Sequence, residues 1–294
     1  MAEIQFGVNF HGVASAPEFE RLVRRASGLG FDVFAAPDHL GAAGPFTTLA
    51  AAGAIGSRLR LRTYVLNVGF WNPALLAREV ATLDVLSGGR AEVGLGAGHM
   101  KSEHDDAGLP WLPFRQRIEA LESVVTEVRR RLAAQDHEPR PVQQPVPLMV
   151  AAMSQPGLAV AARHADIVGF AGLRQVRGAS LGTFTLVTAA ETADRVAEVR
   201  QLAGGRPYRS DVLLQQVVVG RNPEDAAGEM ARAGRLSVAE ILDNPFVLYA
   251  EDATRAAEEL RRRHALYGFD SVTTHQPSME ALGEVIAAYR GGGR

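Results

Sequence analysis

Strands and helices that alternate along the chain predict a parallel α/β fold, either a (β/α)8 TIM barrel with insertions or a doubly wound open sheet. Three observations carry that expectation. Short apolar runs recur, about eight in all, and nearly every one is followed by a stretch with apolar residues three or four apart. Gly and Pro stand at the joints between the two kinds of segment. Neither a composition break nor a short internal repeat divides the 294 residues, so a single domain over 1–294 is expected.

The first expected strand is 4–10, followed by a helix over 17–29 whose inner face carries Phe19, Leu22, Val23 and Ala26. Residues 32–36 form a second strand that runs straight into Pro37-Asp38-His39, and a helix over 45–57 follows. A third strand spans 59–68. Next comes the most informative stretch, 72–111, NPALLAREVATLDVLSGGRAEVGLGAGHMKSEHDDAGLPW. Asn72 suits an N-cap, Pro73 the first helical position, and Gly88-Gly89 a left-handed stop. Leu75, Leu76, Val80, Leu83 and Leu86 predict the apolar face of that helix. Residues 90–95 read as a buried strand that leaves through Gly94, Gly96 and Gly98, where backbone can approach a ligand closely. A long polar loop is expected after it.

Ile118, Leu121, Val124, Val125, Val128 and Leu132 predict a long helix over 114–134. A proline- and glutamine-rich connector over 138–147 leads to a strand over 147–152, a helix over 157–164 and a strand over 166–170. Residues 171–190 read as an irregular excursion. A helix over 191–202, a strand over 212–219, helices within 223–242, a helix over 252–267, a strand over 271–274 and a closing helix over 279–289 complete the chain.

Charge and composition exclude several functions. A formal net charge of −2 argues against nucleic acid or an anionic membrane as the main partner. The absence of cysteine removes disulfides, thiolate metal sites and cysteine nucleophiles, and fits a reducing cytoplasm. No apolar run approaches the roughly 20 residues of a membrane span, and the N-terminus lacks a signal-peptide pattern. In a parallel α/β fold the chemistry gathers where strands end. Those ends supply His11, Asp38-His39, Asn67, then Gly96-Ala97-Gly98-His99, then Ala152-Met153-Ser154. Two histidines, an amide and small residues at one mouth suit a flat heterocycle. Trp71 is expected to wall the pocket or to pack beside it.

NPALLAREVATLDVLSGGR, GLGAG, the nearby Glu103 and AGLPW together resemble the luciferase-like flavin and deazaflavin oxidoreductases, and within them the branch dependent on coenzyme F420. The likeness is ungapped over this stretch and looser elsewhere. It implies the barrel rather than the open sheet, hydride transfer at C5 of the deazaflavin, a small organic or natural-product substrate, and a homodimer. The His of the Asp-His pair stands beside the reactive carbon in such enzymes, so the resemblance makes His39 the catalytic candidate and Asp38 an orienting or cofactor contact. It places a non-prolyl cis peptide at Tyr64-Val65 behind the ring, with Asn67 close by, and adds Gly96, Ala97, Gly98, Ala152, Met153 and Ser154 as cofactor contacts. His99 stands where some relatives have an acid and joins the catalytic candidates; His11 and Trp71 are the substrate candidates. Met153 replaces the small residues that often receive cofactor phosphate after strand five.

A two-component monooxygenase using reduced FMN and oxygen shares this resemblance and is the second expectation. A flavin-binding barrel without catalysis is the third. Other patterns lead nowhere. GLGAG lacks the dinucleotide-binding spacing, and Gly178-Ala-Ser180-Leu-Gly182 lacks the strand and helix that a nucleophile elbow needs. His99, Glu103, His104, Asp105 and Asp106 are expected in a solvated loop, and no metal is expected there.

Overall fold

The computed structural model describes residues 4–291, apart from 13, 56–57, 153 and 181. In chain order the first half contains β1 (Gln5–Asn9), α1 (Ala16–Gly28), β2 (Val33–Ala36), α2 (Pro45–Ala54), β3 (Arg60–Thr63), β4 (Leu66–Asn67), α3 (Pro73–Ser87), β5 (Ala91–Gly96), α4 (Lys101–Asp106) and α5 (Phe114–Ala133). The second half contains β6 (Leu148–Ala152), α6 (Gln155–His164), β7 (Ile167–Phe170), β8 (Leu173–Gln175), β9 (Phe184–Leu186), α7 (Ala189–Ala203), β10 (Arg209–Leu214) and β11 (Gln216–Val219). It ends with α8 (Pro223–Ala233), α9 (Val238–Leu242), β12 (Val247–Ala250), α10 (Ala253–Tyr267), β13 (Ser271–His275) and α11 (Met279–Gly291).

Parallel pairings run β1–β2–β3, from β3 to β5, then β6–β7–β10–β13, and β13 returns to β1. With β4 continuing the line of β3, this is a closed eight-stranded (β/α)8 barrel, so the open sheet is excluded. Closure leaves no sheet edge unpaired. The strands are buried along nearly their whole length because helices cover them outside and side chains fill them inside.

Local chemistry explains most boundaries. Asn72 Oδ1 accepts from the Ala74 N–H at 2.9 Å, Pro73 stands in the first turn, and Gly88 closes α3 at φ 65°. The buried stripe of α3 is Leu76, Ala77, Val80, Ala81, Leu83, Asp84 and Ser87. Leu75 and Leu86, expected on that face, are instead exposed, Leu86 by 70%. The stripe turns toward Asp84 because its carboxylate is needed inside. It accepts from the backbone N–H and side-chain amide of Gln143, at 2.8 and 2.6 Å, and ties down the connector into β6.

Four further expectations are corrected. The strand over 59–68 is two short strands, with a cis peptide at Tyr64-Val65 between them. The strand over 212–219 divides at Gln215: β10 stays in the barrel, and β11 leaves to pair with β12, a strand that the sequence pattern did not reveal. The excursion over 171–190 contains the antiparallel hairpin β8–β9. The polar loop after β5 contains α4, held by an i,i+4 pair, Lys101 to Asp105, at 2.6 Å.

Inside the barrel Arg62 is fully buried, its guanidinium 2.6 Å from Glu92 and 2.9 Å from Asp211. Asp211 also accepts from Tyr64 Oη at 2.6 Å, Ser271 Oγ at 2.5 Å and Thr273 Oγ1 at 2.9 Å. Burial would push the Glu92 carboxyl up, but Arg62, Arg60 and Arg209 bring it down to about 2. Removing one member strands the others in a dry interior. Asp211→Ala should therefore destabilise the fold by about 3–5 kcal/mol in urea titration, and a loss below about 1 kcal/mol would show that solvent reaches the network.

Candidate active site

The C-terminal ends of the barrel strands open on a cavity of about 570 Å3. His11, Asp38, His39, Tyr64, Val65, Asn67, Gly96, Ala97, Gly98, His99, Ala152 and Ser154 all line it, so residues far apart in sequence meet at one mouth. Met153 lies outside the described residues. Trp71 does not line this cavity; its ring packs edge-on against Phe46 and its indole N–H donates to Asp38 at 2.8 Å.

β2 ends at Ala36 and delivers Asp38 and His39 to the rim. The Asp38 Oδ2 atom accepts from the Trp71 indole and, at 3.1 Å, from the Asn67 backbone N–H. Burial raises its pKa, and those two donors oppose the rise. Asp38 thereby ties the end of β2 to the end of β4 and fixes the direction in which His39 leaves.

His39 Nδ1 lies 2.7 Å from Glu103 Oε1. The Glu103 side chain is 14% exposed and stands on α4. With Nδ1 engaged, Nε2 is the ring nitrogen that remains for a ligand. The His99 ring meets His39 edge-on at 5.4 Å, and Phe184 of the β8–β9 hairpin covers His99 at 5.5 Å. Burial lowers the His99 pKa, and charge on His39 lowers it further. Of the two rings, His39 is the one that a carboxylate engages.

The floor is shaped by what is missing from its side chains. Gly98 takes φ 73°, and a Cβ there would press on the Asn67 amide at 2.5 Å. A Cβ on Gly96 would stand 2.8 Å from Val65 Cγ2. The Asn67 amide is committed to the protein: Oδ1 accepts from the Gly69 N–H at 3.1 Å, and Nδ2 lies 2.9 Å from His104 Nε2. His104 is only 3% exposed, its Nδ1 faces the Pro110 carbonyl at 3.1 Å, and Phe70 and Trp111 flank its ring. That partner set requires a neutral ring with the proton on Nδ1. The expected loop is therefore a short helix, exposed at Lys101, Ser102, Asp105 and Asp106, which buries His104 and turns Glu103 to the cavity. Among the described residues no group of three or more acidic or histidine side chains is placed to hold a metal ion.

Sequence reasoning missed four contributors. Glu103 was assigned to a loop, although the Lys101–Asp105 spacing was a helix signal. His275, at the end of the eighth barrel strand, follows from the strand-end rule applied once more. Asn9, one pleat before His11, and Arg117, on the first turns of α5, carried no signal of their own. Arg117 donates to the Gly98 carbonyl at 2.5 Å and lies over the Trp111 ring at 3.9 Å.

A model of the family described as luciferase-like monooxygenase matches residues 4–287. An uncharacterised protein of Mycobacterium tuberculosis is 38% identical over 136 residues, 42% of this chain and 48% of its own length. The F420-dependent glucose-6-phosphate dehydrogenase of Segniliparus rotundus is 32% identical over 192 residues, 57% of this chain and 56% of that one. These alignments thus span about half the length of each curated relative. A solved F420-dependent secondary alcohol dehydrogenase in complex with an F420–acetone adduct superposes with a TM-score of 0.76 at 18% identity, covering 98% of this chain and 99% of that one. That likeness is one of fold.

Burial, with His11 adding to it, lowers the His275 pKa to about 4. Burial also lowers His11, with charge on His39 contributing. For a base with a depressed folded pKa, stability is complete above the unfolded value and falls as pH drops through the interval below it. Thermal unfolding should therefore show a decline in Tm from about pH 6.5 toward pH 4, flatter in His275→Phe. A slope unchanged by that substitution would mean that His275 titrates normally.

Proposed function

The chain belongs to the luciferase-like monooxygenase family, and on that premise we propose that it is an F420-dependent oxidoreductase acting on a small organic or natural-product molecule. The observation that carries this reading is the His39–Glu103 pair at the mouth of the cavity, with His99 against it. The relatives named for F420 dependence support the cofactor.

The residues present fit such a group. Val65 behind Gly96, with Ala97 and Gly98, gives a floor of small residues against which a tricyclic ring can lie. Ser154 caps α6, its Oγ 3.4 Å from the Gly157 N–H, and the first turn of that helix faces the cavity. Pro156 removes one donor from that turn, but the half-buried Arg117 lines the same wall, with its Nε without a partner. Ser154, the helix start and Arg117 would hold the phosphate. Bound deazaflavin supplies a two-electron hydride carrier.

What the chain itself contributes is proton handling and exclusion of water. Glu103 fixes the His39 ring by Nδ1, so Nε2 can take a proton from, or give one to, a substrate oxygen or nitrogen. Phe184 closes the hairpin over His99 and shields the pair. Asp38, held through Oδ2 by Trp71 and by the Asn67 N–H, sets the approach of His39.

Absorbance at the deazaflavin band under anaerobic conditions, with a panel of alcohols, enones and imines, tests the reading. On any substrate so found, His39→Ala should lower kcat by about 10²–10⁴-fold while F420 affinity holds within about threefold. Glu103→Gln should lower kcat by about tenfold with KM unchanged. Full turnover in His39→Ala would remove His39 from the mechanism. Product that forms only with reduced FMN and oxygen would move the chain to the monooxygenase alternative.

A further inference from the structure

Asn9, His11 and His275 meet on the side of the mouth where β1 and β13 run together, and the proton chemistry at His39 uses none of them. Asn9 and His275 are register partners across those strands. His11 Nε2 lies 3.1 Å from His275 Nδ1 and 3.3 Å from Asn9 Nδ2. All three residues line the cavity.

Two imidazole nitrogens at that distance hold a single proton between them. Burial lowers the pKa of both rings, that of His275 to about 4, and a neutral ring has one N–H and one bare nitrogen. The Asn9 Nδ2 amide can only donate, so the His11 Nε2 that it meets is the bare nitrogen, and His275 Nδ1 donates to it. The pair therefore turns one donor, His11 Nδ1, and one acceptor, His275 Nε2, outward, and neither of these has a hydrogen-bond partner among the described residues.

A hydroxyl, which both donates and accepts, satisfies either outer nitrogen. A ketone, carboxylate or phosphate accepts only and is matched at His11 Nδ1 alone. Charge points the same way. Among the described lining residues the cations are Arg117 and Arg174, on α5 and β8; Arg174 is paired with Glu191 at 2.8 Å. None stands on β1 or β13. Asn9 is 2% exposed with its Oδ1 buried and unpartnered, an arrangement that serves to position His11 rather than to satisfy the amide.

We propose that the His11–His275 pair is a substrate subsite that binds a hydroxyl of an uncharged, hydroxylated molecule, with Asn9 positioning His11. This rests on the oxidoreductase reading of the cavity, and a cofactor-free measurement separates the two. Long-range 1H–15N spectra of histidine-labelled full-length protein report each ring nitrogen directly. Titration with trans-cyclohexane-1,2-diol should move the outer nitrogens of His11 and His275 saturably. Cyclohexyl phosphate should bind at those rings at least about tenfold more weakly.

His275→Phe should abolish the diol effect while its fold is confirmed by an unchanged Tm near neutral pH; if that variant fails to fold, His11→Ala carries the same test. Equal or tighter binding of the phosphate ester at these rings, or rings unmoved by the diol, overturns the proposal. Quenching of F420 fluorescence, followed on the same samples, reports the cofactor reading alone. Diol shifts without F420 quenching would uphold the subsite and reject the cofactor.

Discussion

A guanidinium sealed inside the barrel is the constraint on which the rest depends. Arg62 on β3 is reached by its register partner Glu92 on the neighbouring β5 and by Asp211 on β10, across the closed sheet from β3. A buried charge is tolerated only when paired and hydrogen-bonded, so these strands are held at one register. Tyr64 is drawn into the same network through Asp211. The next residue, Val65, lines the floor of the cavity. The lower barrel is thus a polar knot, and the upper barrel a shallow, mostly apolar bowl.

The bowl carries its chemistry on the rim, in two groups. His39, Glu103 and His99 form the side fed by β2 and β5, where a carboxylate engages His39 Nδ1. Asn9, His11 and His275 form the side fed by β1 and β13, where burial lowers the pKa of both rings. Four imidazoles at one mouth therefore stand in different surroundings: a carboxylate beside one, desolvation and like neighbours at the others. Proton transfer suits the first group, and uncharged hydrogen bonding suits the second.

The alternation of strands and helices was legible because periodicity and caps are local. Asn72, Pro73 and Gly88 behave as their side chains dictate, and α3 starts and stops where they predict. The barrel was not legible from alternation alone, since closure depends on a pairing between β13 and β1 across the whole chain. Asp38, His39, Gly96 to Gly98 and His99 were found because strand ends converge by geometry. Glu103 was hidden by a short helix with weak periodicity, and Trp71 was given a substrate role because nothing in the sequence reveals that its indole reaches Asp38. β11 was fused to β10 for a similar reason: the apolar run continues across Gln215, and only the tertiary fold peels its second half away toward β12. The buried histidine His104 looked like one more polar residue in KSEHDD, and its partners, Asn67 and the Pro110 carbonyl, come from elsewhere.

The central claim is that this cavity takes a deazaflavin. Paired fluorescence titrations of the purified chain with F420 and with FMN test it most directly. Dissociation in about the micromolar range or tighter is expected for F420, with at least about tenfold weaker binding of FMN. Preference for FMN, or failure to bind either, would contradict it.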